Sequence, residues 1–178
     1  MSDPVSALRG ASFDGIARVR EIGPLGMITL RAKGVKGLTK AVKAAVGTKV
    51  PAQRRIEFAG DRACGWMSPD EYLLILPYDQ VAAALTVLAK ALDKEHHLAV
   101  DVSDTRAVFR VEGNGANEVL RKLVPVDIDL LPEGELRRSR AAQVACAFWR
   151  AEGGYTLVSF RSVARYVFDI LAHSARVG

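Results

Sequence analysis

The segment CGWMSPDEYLLIL, residues 64–76, recurs in altered form as CAFWRAEGGYTLV, residues 146–158. The tryptophans of the two copies lie 83 residues apart, as do the tyrosines, and Leu88 and Leu171 keep the same interval downstream. Each copy is typical of two strands around a polar turn, and a helical pattern follows each of them. The repetition predicts two similar units that form one body and not a linear array.

Working outward from these copies, hydrophobic periodicity and turn residues predict the remaining elements. The first unit is expected to contain a hairpin of strands at 16–22 and 27–32, a helix at 35–46, strands at 54–58, 63–67 and 72–76, and a helix from Asp79. The second is expected to contain strands at 98–102 and 107–111, a helix at 115–123, an irregular piece at 125–131, a basic loop, strands at 141–149 and 155–160, and a helix capped by Ser162.

These elements predict an α+β fold of duplicated β-β-α-β-β-α units, with one further strand in the first. The expected boundaries are an N-terminal tail at 1–12, a first repeat at 13–96 and a second repeat at 97–178. No linker rich in Pro, Gly or Ser separates the repeats, so we expect them to pack as a single globular domain.

The composition excludes several classes of protein. With 178 residues, of which 49% are hydrophobic and 25% charged, the chain can bury a core and is not expected to be disordered. Its start is not that of a signal peptide, and no apolar run approaches the length of a membrane helix. Cys64 and Cys146 occupy matching positions, which favours buried free thiols in a reduced, cytoplasmic compartment, with a disulfide or redox role as the alternative.

The net charge of +5 is concentrated in the first third, where residues 1–60 carry eleven Lys/Arg and four Asp/Glu. Lys36, Lys40 and Lys43 would share one face of a helix, with Leu38, Val42 and Ala45 on another. Such a row is typical of a solvated helix face. The alternative is an anionic partner, such as nucleic acid, a polyglutamylated cofactor or an acidic protein surface. No aromatic residues interleave with these lysines, which disfavours base stacking.

The sequence contains one incomplete ligand-binding motif and no complete motif for catalysis or metal binding. The loop at 113–118 resembles a dinucleotide-binding glycine loop, but Glu118 replaces its third glycine and would repel a pyrophosphate. We therefore expect Asn114 or Gly115 to cap a helix there. The three histidines and two cysteines lack metal-ligand spacing, and no nucleophile elbow occurs. The sequence predicts no catalytic residue and no metal site.

Asp101 and Ser103 form the most suggestive polar pair, because residues two apart in a strand share a face. One interpretation is a turn in which Ser103 and Asp104 side chains accept backbone N–H bonds. The other is a ligand site completed by Trp66 or Trp149 stacking on the ligand. The matched spacing of the tryptophans favours a duplicated core.

The sequence AVDVSDTRAVFRVEG at 99–113, with NEVL at 117–120 and PVDIDL at 125–130, resembles the aminomethyltransferase superfamily. It is more closely similar to the gamma subunits of heterotetrameric sarcosine oxidase. WMSPDEYLL at 66–74 and YTLVSFRS at 155–162 support this resemblance, which extends from about residue 10 to the end. It implies a fold like the folate-binding domain of the glycine-cleavage T-protein.

The resemblance also implies a function. Such complexes oxidise sarcosine to glycine and hydrogen peroxide and pass the one-carbon unit to tetrahydrofolate. FAD, FMN, NAD, tetrahydrofolate and zinc are expected on the partner subunits and none on this chain. The folate enzymes of the superfamily carry a catalytic acid in an Asp-Asp strand, whereas this chain has QVACA at 143–147. Independent aminomethyl transfer is therefore not expected.

Three hypotheses follow. The first is a non-catalytic structural subunit that docks on the alpha chain, with beta and delta chains as further partners, and that can self-associate through its partner surface when isolated. The second is a free-standing folate-binding protein that uses Asp101, Ser103, Trp66 and Trp149. The third is an RNA-binding module. The residues expected to contact a partner are Lys36, Lys40, Lys43, Arg137, Arg138 and Arg140; we expect no membrane partner and do not favour nucleic acid.

Overall fold

The computed structural model describes residues 4–177, which contain eleven strands and four α-helices. The strands are β1 (Ser12–Asp14), β2 (Arg18–Ile22), β3 (Gly26–Arg31), β4 (Ile56–Ala59), β5 (Arg62–Ser68), β6 (Glu71–Leu76), β7 (Leu98–Asp101), β8 (Arg106–Glu112), β9 (Leu136–Ala141), β10 (Val144–Ala151) and β11 (Gly154–Phe160). The helices are α1 (Leu38–Val46), α2 (Val81–Ala91), α3 (Ala116–Arg121) and α4 (Ala164–Ser174).

The strands form two antiparallel sheets that share one topology over five strands, to which β1 adds a sixth in the first sheet. The first has the order β1-β2-β8-β11-β10-β9 and the second β4-β5-β6-β3-β7. In the second sheet β3, α1, β4, β5, β6 and α2 follow one another along the chain, and β3 lies beside β6. In the first sheet β8, α3, β9, β10, β11 and α4 do the same, and β8 lies beside β11. The α+β class and the duplication are confirmed.

The strand that opens each repeat pairs within the sheet of the other repeat. β2 pairs with β8, with Val19 opposite Val111, and β7 pairs with β3, with Val100 opposite Thr29. The predicted opening hairpin is therefore wrong, because β2 and β3 belong to different sheets. The residues up to Pro24 and those from Asp104 form one compact unit, and Leu25–Ser103 form the other. These divisions differ from the predicted repeat boundaries at 13–96 and 97–178.

The core of the six-stranded unit lies between the sheet and helices α3 and α4. Alternate strand residues point to this side, as the period of two requires. Its large buried side chains include Phe109, Phe148, Tyr155, Leu157, Leu120 and Leu171. On α4 the buried residues include Val167, Phe168 and Leu171, whereas Tyr166 is exposed.

The core of the five-stranded unit lies under α1 and α2. Val42 and Ala45 of α1 are buried as predicted, together with Ala41 and Val46, while the lysines of α1 are exposed. Val81 and Leu88 of α2 are buried, and Leu85 is partly buried. From the sheet, this core receives Ile28, Leu30, Cys64, Tyr72, Leu74 and Leu76.

The helix ends partly follow the predicted caps. Gly47 ends α1 with a φ of 76°, and its N–H donates to the Lys43 carbonyl at 3.0 Å. Gly115 occupies the N-cap position of α3, as one of the two predicted candidates. Asp79 and Ser162 are not N-caps, because each lies in a short 3₁₀ turn that precedes its helix.

The predicted basic loop is a strand. Arg137, Arg138 and Arg140 lie in β9, which pairs with β10 so that Arg138 is opposite Ala147. The strand predicted at 141–149 corresponds to β10, which begins at Val144, and the residues before it end β9 and form a turn in which Ala142 has a φ of 50°. An edge strand can carry charges on both of its faces, so β9 lacks the apolar alternation that identifies a half-buried strand.

Much of the predicted N-terminal tail is anchored to the six-stranded unit by Glu21 of β2; residues 1–3 lie outside the described residues. The Glu21 side chain accepts hydrogen bonds from Ser6 Oγ at 2.8 Å, Leu8 N at 2.9 Å and Gly10 N at 3.0 Å. Glu21 is only 4% exposed. Because a buried carboxylate is costly without donors, these bonds fix the path of residues 6–10.

Glu21→Gln is expected to lower the free energy of unfolding by about 3 kcal/mol. The amide NH₂ of glutamine would face backbone N–H groups whose hydrogen bonds the carboxylate now accepts. Urea denaturation followed by circular dichroism measures this loss. Glu133→Gln, at an exposed position, is the matched control. Equal midpoints for both variants would contradict the assigned role of Glu21.

Candidate functional site

Asp101 and Ser103 meet at the end of β7. Ser103 Oγ donates to Asp101 Oδ1 at 2.5 Å and accepts from Met27 N at 2.9 Å, and Ser103 N also donates to Asp101 Oδ1 at 2.9 Å. Ser103 is buried and Asp101 is exposed. The turn interpretation is confirmed for Ser103, whose side chain accepts a backbone N–H, and the Asp101 side chain accepts another. The pair holds the end of β7 against β3.

The structure does not bring Trp66 to this pair. Trp66 is partly buried on the helix side of its sheet, and strands β6 and β3 separate its strand from β7. Three strand spacings correspond to about 14 Å. Trp149 is 4% exposed and belongs to the other sheet. Asp101, Ser103 and Trp66 therefore form no contiguous cluster.

The tryptophans are also not equivalent in the two repeats. Cys64 and Trp66 are two residues apart and share the helix-facing side of β5, but Cys146 and Trp149 are three apart and point to opposite faces of β10. Cys146 and Phe148 are the residues that face the helices. The prediction of matched tryptophans is wrong, whereas the tyrosines at 72 and 155 both face their helices.

The cysteines offer no reactive thiol. Both are free and buried, with Cys64 0% and Cys146 5% exposed. Burial raises the pKa of each thiol to about 12. Since the thiolate is the nucleophile and the metal ligand, both side chains behave as small apolar groups at neutral pH.

Across residues 4–177, no three His, Cys, Asp or Glu side chains gather as metal ligands would. No helix among these residues is long and apolar enough to cross a membrane.

An ionic network on the other face of the six-stranded sheet was not found from the sequence. Glu112 accepts from Arg20 Nε at 2.7 Å and from Arg110 Nε at 3.1 Å, and Arg110 Nη1 donates to Thr156 Oγ1 at 3.0 Å. The hydrogen bond from Arg20, together with those from Arg110, lowers the pKa of Glu112 to about 2. The network joins β2, β8 and β11. Its residues can be linked only once the strand register is known.

A second polar cluster joins α3 to the hairpin of β10 and β11. Tyr155 Oη donates to Asn117 Oδ1 at 2.8 Å and accepts from Arg150 Nη2 at 3.1 Å. Asp129 accepts from Arg121 Nη2 at 2.6 Å and from Asn117 Nδ2 at 3.2 Å. These side chains form hydrogen bonds with one another. Because Asp129 belongs to the loop before β9, the cluster fixes that loop to the core.

The predicted partner-contact residues divide between the two compact units. Lys36, Lys40 and Lys43 are exposed in or just before α1, and Lys43 Nζ donates to the Gly47 carbonyl at 2.6 Å. Residues 22–56 contain eight Lys/Arg and no Asp/Glu. Arg31 and Lys49 of this stretch pair with Glu71 and Glu57, which lie outside it. The α1 surface, defined by Lys36, Lys40 and Lys43, carries exposed positive charge.

The arginines lie on β9 in the other unit. Arg138 and Arg140 are exposed on one face of the strand. Arg137 points to the opposite face, and its Nε lies 2.6 Å from Glu135 Oε1. The six cations therefore do not all belong to one element or one unit.

Comparisons with known proteins point to one family. The sequence profile of the sarcosine oxidase, gamma subunit family matches residues 33–176. The chain is 35% identical to sarcosine oxidase subunit gamma of Corynebacterium sp. strain U-96 over 154 residues, which cover 82% of this chain and 73% of the relative. It is also 35% identical to the subunit of strain P-1 over 125 residues, which cover 68% of this chain and 60% of that relative.

Solved structures agree with this relationship. A chain of heterotetrameric sarcosine oxidase from Corynebacterium sp. U-96, in complex with pyrrole 2-carboxylate, superposes with a TM-score of 0.79 and 25% identity, over 94% of this chain and 90% of that one. Aminomethyltransferase T of the glycine cleavage system from Bartonella henselae gives a TM-score of 0.64 at 13% identity, over 89% of this chain and 46% of that one. The second comparison shows that the fold is T-protein-like.

The Glu112 network predicts a specific loss of stability in acid. Because the folded pKa of Glu112 lies near 2, below its ordinary value, its contribution is full above about pH 5 and is lost as the pH falls toward 2. Glu112→Gln should cost about 2 kcal/mol at pH 7 and little at pH 2. Denaturant unfolding between pH 2 and 7, with Glu133→Gln as control, measures this. A deficit that does not change with pH would contradict it.

Proposed function

Because this chain belongs to the sarcosine oxidase gamma subunit family, we propose that it is the gamma subunit of a heterotetrameric sarcosine oxidase. The observation that carries the proposal is the family match over residues 33–176. Its partners would be the alpha, beta and delta subunits. The free, buried thiols are consistent with assembly in the cytoplasm.

The complex would oxidise sarcosine to glycine and hydrogen peroxide and transfer the one-carbon unit to tetrahydrofolate. FAD, FMN, NAD, tetrahydrofolate and zinc would be held by the partner subunits. This chain would contribute no reacting group, and its polar side chains support that role. Asp101 is engaged by Ser103, and the strand at 144–147 contains no carboxylate. General acid–base catalysis requires a titratable group within reach of the substrate.

The role we assign to the chain is to stabilise the assembly by docking on the alpha subunit. Its α1 surface is a candidate for this contact because Lys40 and Lys43 are exposed on the helix and Lys36 is exposed just before it. No Asp or Glu lies nearby in sequence to balance them. A positive surface accelerates and orients association with an acidic one.

Co-expression tests the structural role. Alpha, beta and delta subunits produced without this chain should give a complex of lower yield and lower thermal stability, with sarcosine oxidation per assembled flavin largely retained. Size-exclusion chromatography with light scattering and a peroxide assay measure these quantities. If the three subunits assemble and turn over equally well alone, the proposed function is wrong.

Charge reversal tests the α1 surface. The triple variant Lys36→Glu, Lys40→Glu and Lys43→Glu should weaken binding to the other subunits at least tenfold in 50 mM salt, and less at higher salt because screening reduces both attraction and repulsion. Isothermal titration calorimetry measures the affinity. The triple arginine variant keeps the charge and should bind normally.

Arg165→Glu with Arg176→Glu is the control for charge reversal elsewhere, since both arginines are exposed. If the triple glutamate variant binds as the unaltered chain does, the α1 surface is not the contact.

A further inference from the structure

We propose that a segment of the alpha subunit packs an apolar side chain on Phe160 and places a neighbouring Asp or Glu against Arg140. Arg106, Phe160, Ala145 and Arg140 form the surface for this contact, which we call the Phe160 platform. The inference rests on the proposed function, since it concerns how the chain joins its complex. It adds to the α1 surface a contact in which an apolar anchor, and not charge alone, supplies affinity.

The Phe160 platform is a row of side chains that crosses four strands. Arg106 of β8 lies opposite Phe160 of β11, and Ala145 of β10 lies opposite Arg140 of β9. The register that pairs Cys146 with Ser159 places Ala145 beside Phe160. The four side chains share the sheet face that is turned away from α3 and α4, because residues an odd number of positions away along each strand belong to the core under those helices.

Ala145 gives the row a shallow recess. It is exposed, and its side chain is only a methyl group. On either side of it stand the ring of Phe160 and the guanidinium of Arg140, on strands two spacings, or about 10 Å, apart. The recess therefore leaves room for a side chain of another protein between an apolar group and a cation.

Phe160 is the apolar anchor of the platform. Its side chain is 47% exposed, whereas Val108 and Val158, on the same sheet face, are 3% and 5% exposed. The guanidinium carbon of Arg106 lies 4.3 Å from the centroid of the Phe160 ring, so a cation–π contact orients the ring before a partner binds. A side chain that is already oriented loses less entropy on association. Aromatic and arginine side chains are also the types enriched where interfaces gain most of their affinity.

The charge of the platform identifies the kind of partner. Arg140 is exposed and forms no hydrogen bond or ion pair with any of residues 4–177. Arg161, which follows Phe160, donates to the Val5 carbonyl at 2.9 Å, a neutral acceptor. A carboxylate from another chain would give Arg140 a charge-assisted hydrogen bond. A second copy of this chain would instead bring arginines against arginines, so the occupant is an acidic and apolar segment of a different chain.

The other exposed apolar side chains lack this combination. Phe58 of β4 is 55% exposed, but no cation lies over its ring within the described part of the chain. Leu98 and Val100 of β7 are exposed beside Asp101, whose carboxylate would repel an acidic segment.

Hydroxyl-radical footprinting of the unaltered chain, alone and assembled with the alpha, beta and delta subunits, tests the inference. Oxidation of Phe160, measured by mass spectrometry, should fall about threefold or more on assembly, because an interface core excludes solvent. Phe58 is the internal control and should be oxidised equally in both states. If the complex assembles and Phe160 is oxidised as before, the inference is wrong while the proposed function stands. If no complex assembles, the proposed function falls and this inference with it.

Truncation tests the apolar anchor. Phe160→Ala should weaken binding to the other subunits about tenfold or more, measured by calorimetry, and Phe160→Leu should retain most of the affinity. Phe58→Ala removes an equally exposed ring from the other compact unit and should bind as the unaltered chain does. Equal affinities for Phe160→Ala and Phe58→Ala would overturn the proposal.

Charge reversal tests the cation. Arg140→Glu should weaken binding about tenfold in 50 mM salt and less at higher salt, since it replaces attraction by repulsion. Arg140→Lys keeps the charge and should bind nearly normally. Arg176→Glu, at another exposed position, is the matched control. An affinity of Arg140→Glu equal to that of the control would contradict the assigned acidic partner.

Discussion

The fold depends on the exchange of two strands between the repeats. β8 would be an edge strand without β2, and β3 would be one without β7. Three polar contacts hold these exchanged strands or the segment next to them. Glu112 binds Arg20 across the pair of β8 and β2, and Ser103 with Asp101 fastens β7 beside Met27 of β3. Glu21 of β2 binds the segment that leads into β1. These charge-assisted bonds lie where strands far apart in sequence pair with each other. Bringing such distant segments together costs the most chain entropy.

This arrangement explains which features could be predicted from the sequence. The strands at 72–76 and 155–160 and the buried Val42 and Ala45 of α1 follow from local periodicity, and the structure has them where the pattern places them. The partners of β2 and β7 do not follow, because a period of two gives a strand its faces but not its neighbour. The Glu112 network needs the register between residues 92 positions apart, which no local pattern supplies.

The errors in the candidate site have equally local causes. The two tryptophans were matched because they lie 83 residues apart. For them to point to equivalent faces of their strands, each would also have to lie at the same distance from the neighbouring cysteine. That distance is two residues in one copy and three in the other, so the side chains point to different faces. The interval between tyrosines survives because both begin the inner strand of their hairpin and lie in the core. A repeated interval between two side chains identifies equivalent positions only if both residues also keep the same place in their paired strands.

The polar groups and charges have two distinct uses. Buried acceptors and donors such as Glu21 and Ser103 are engaged within the chain, so they stabilise the fold and are not available to a ligand. The exposed lysines of α1 lie in a stretch of the chain, residues 22–56, that contains no Asp or Glu. Such charges contribute little to the stability of an isolated chain, because exposed ion pairs are weak and like charges repel. Their physical effect is on association, where an acidic surface supplies the opposite charge.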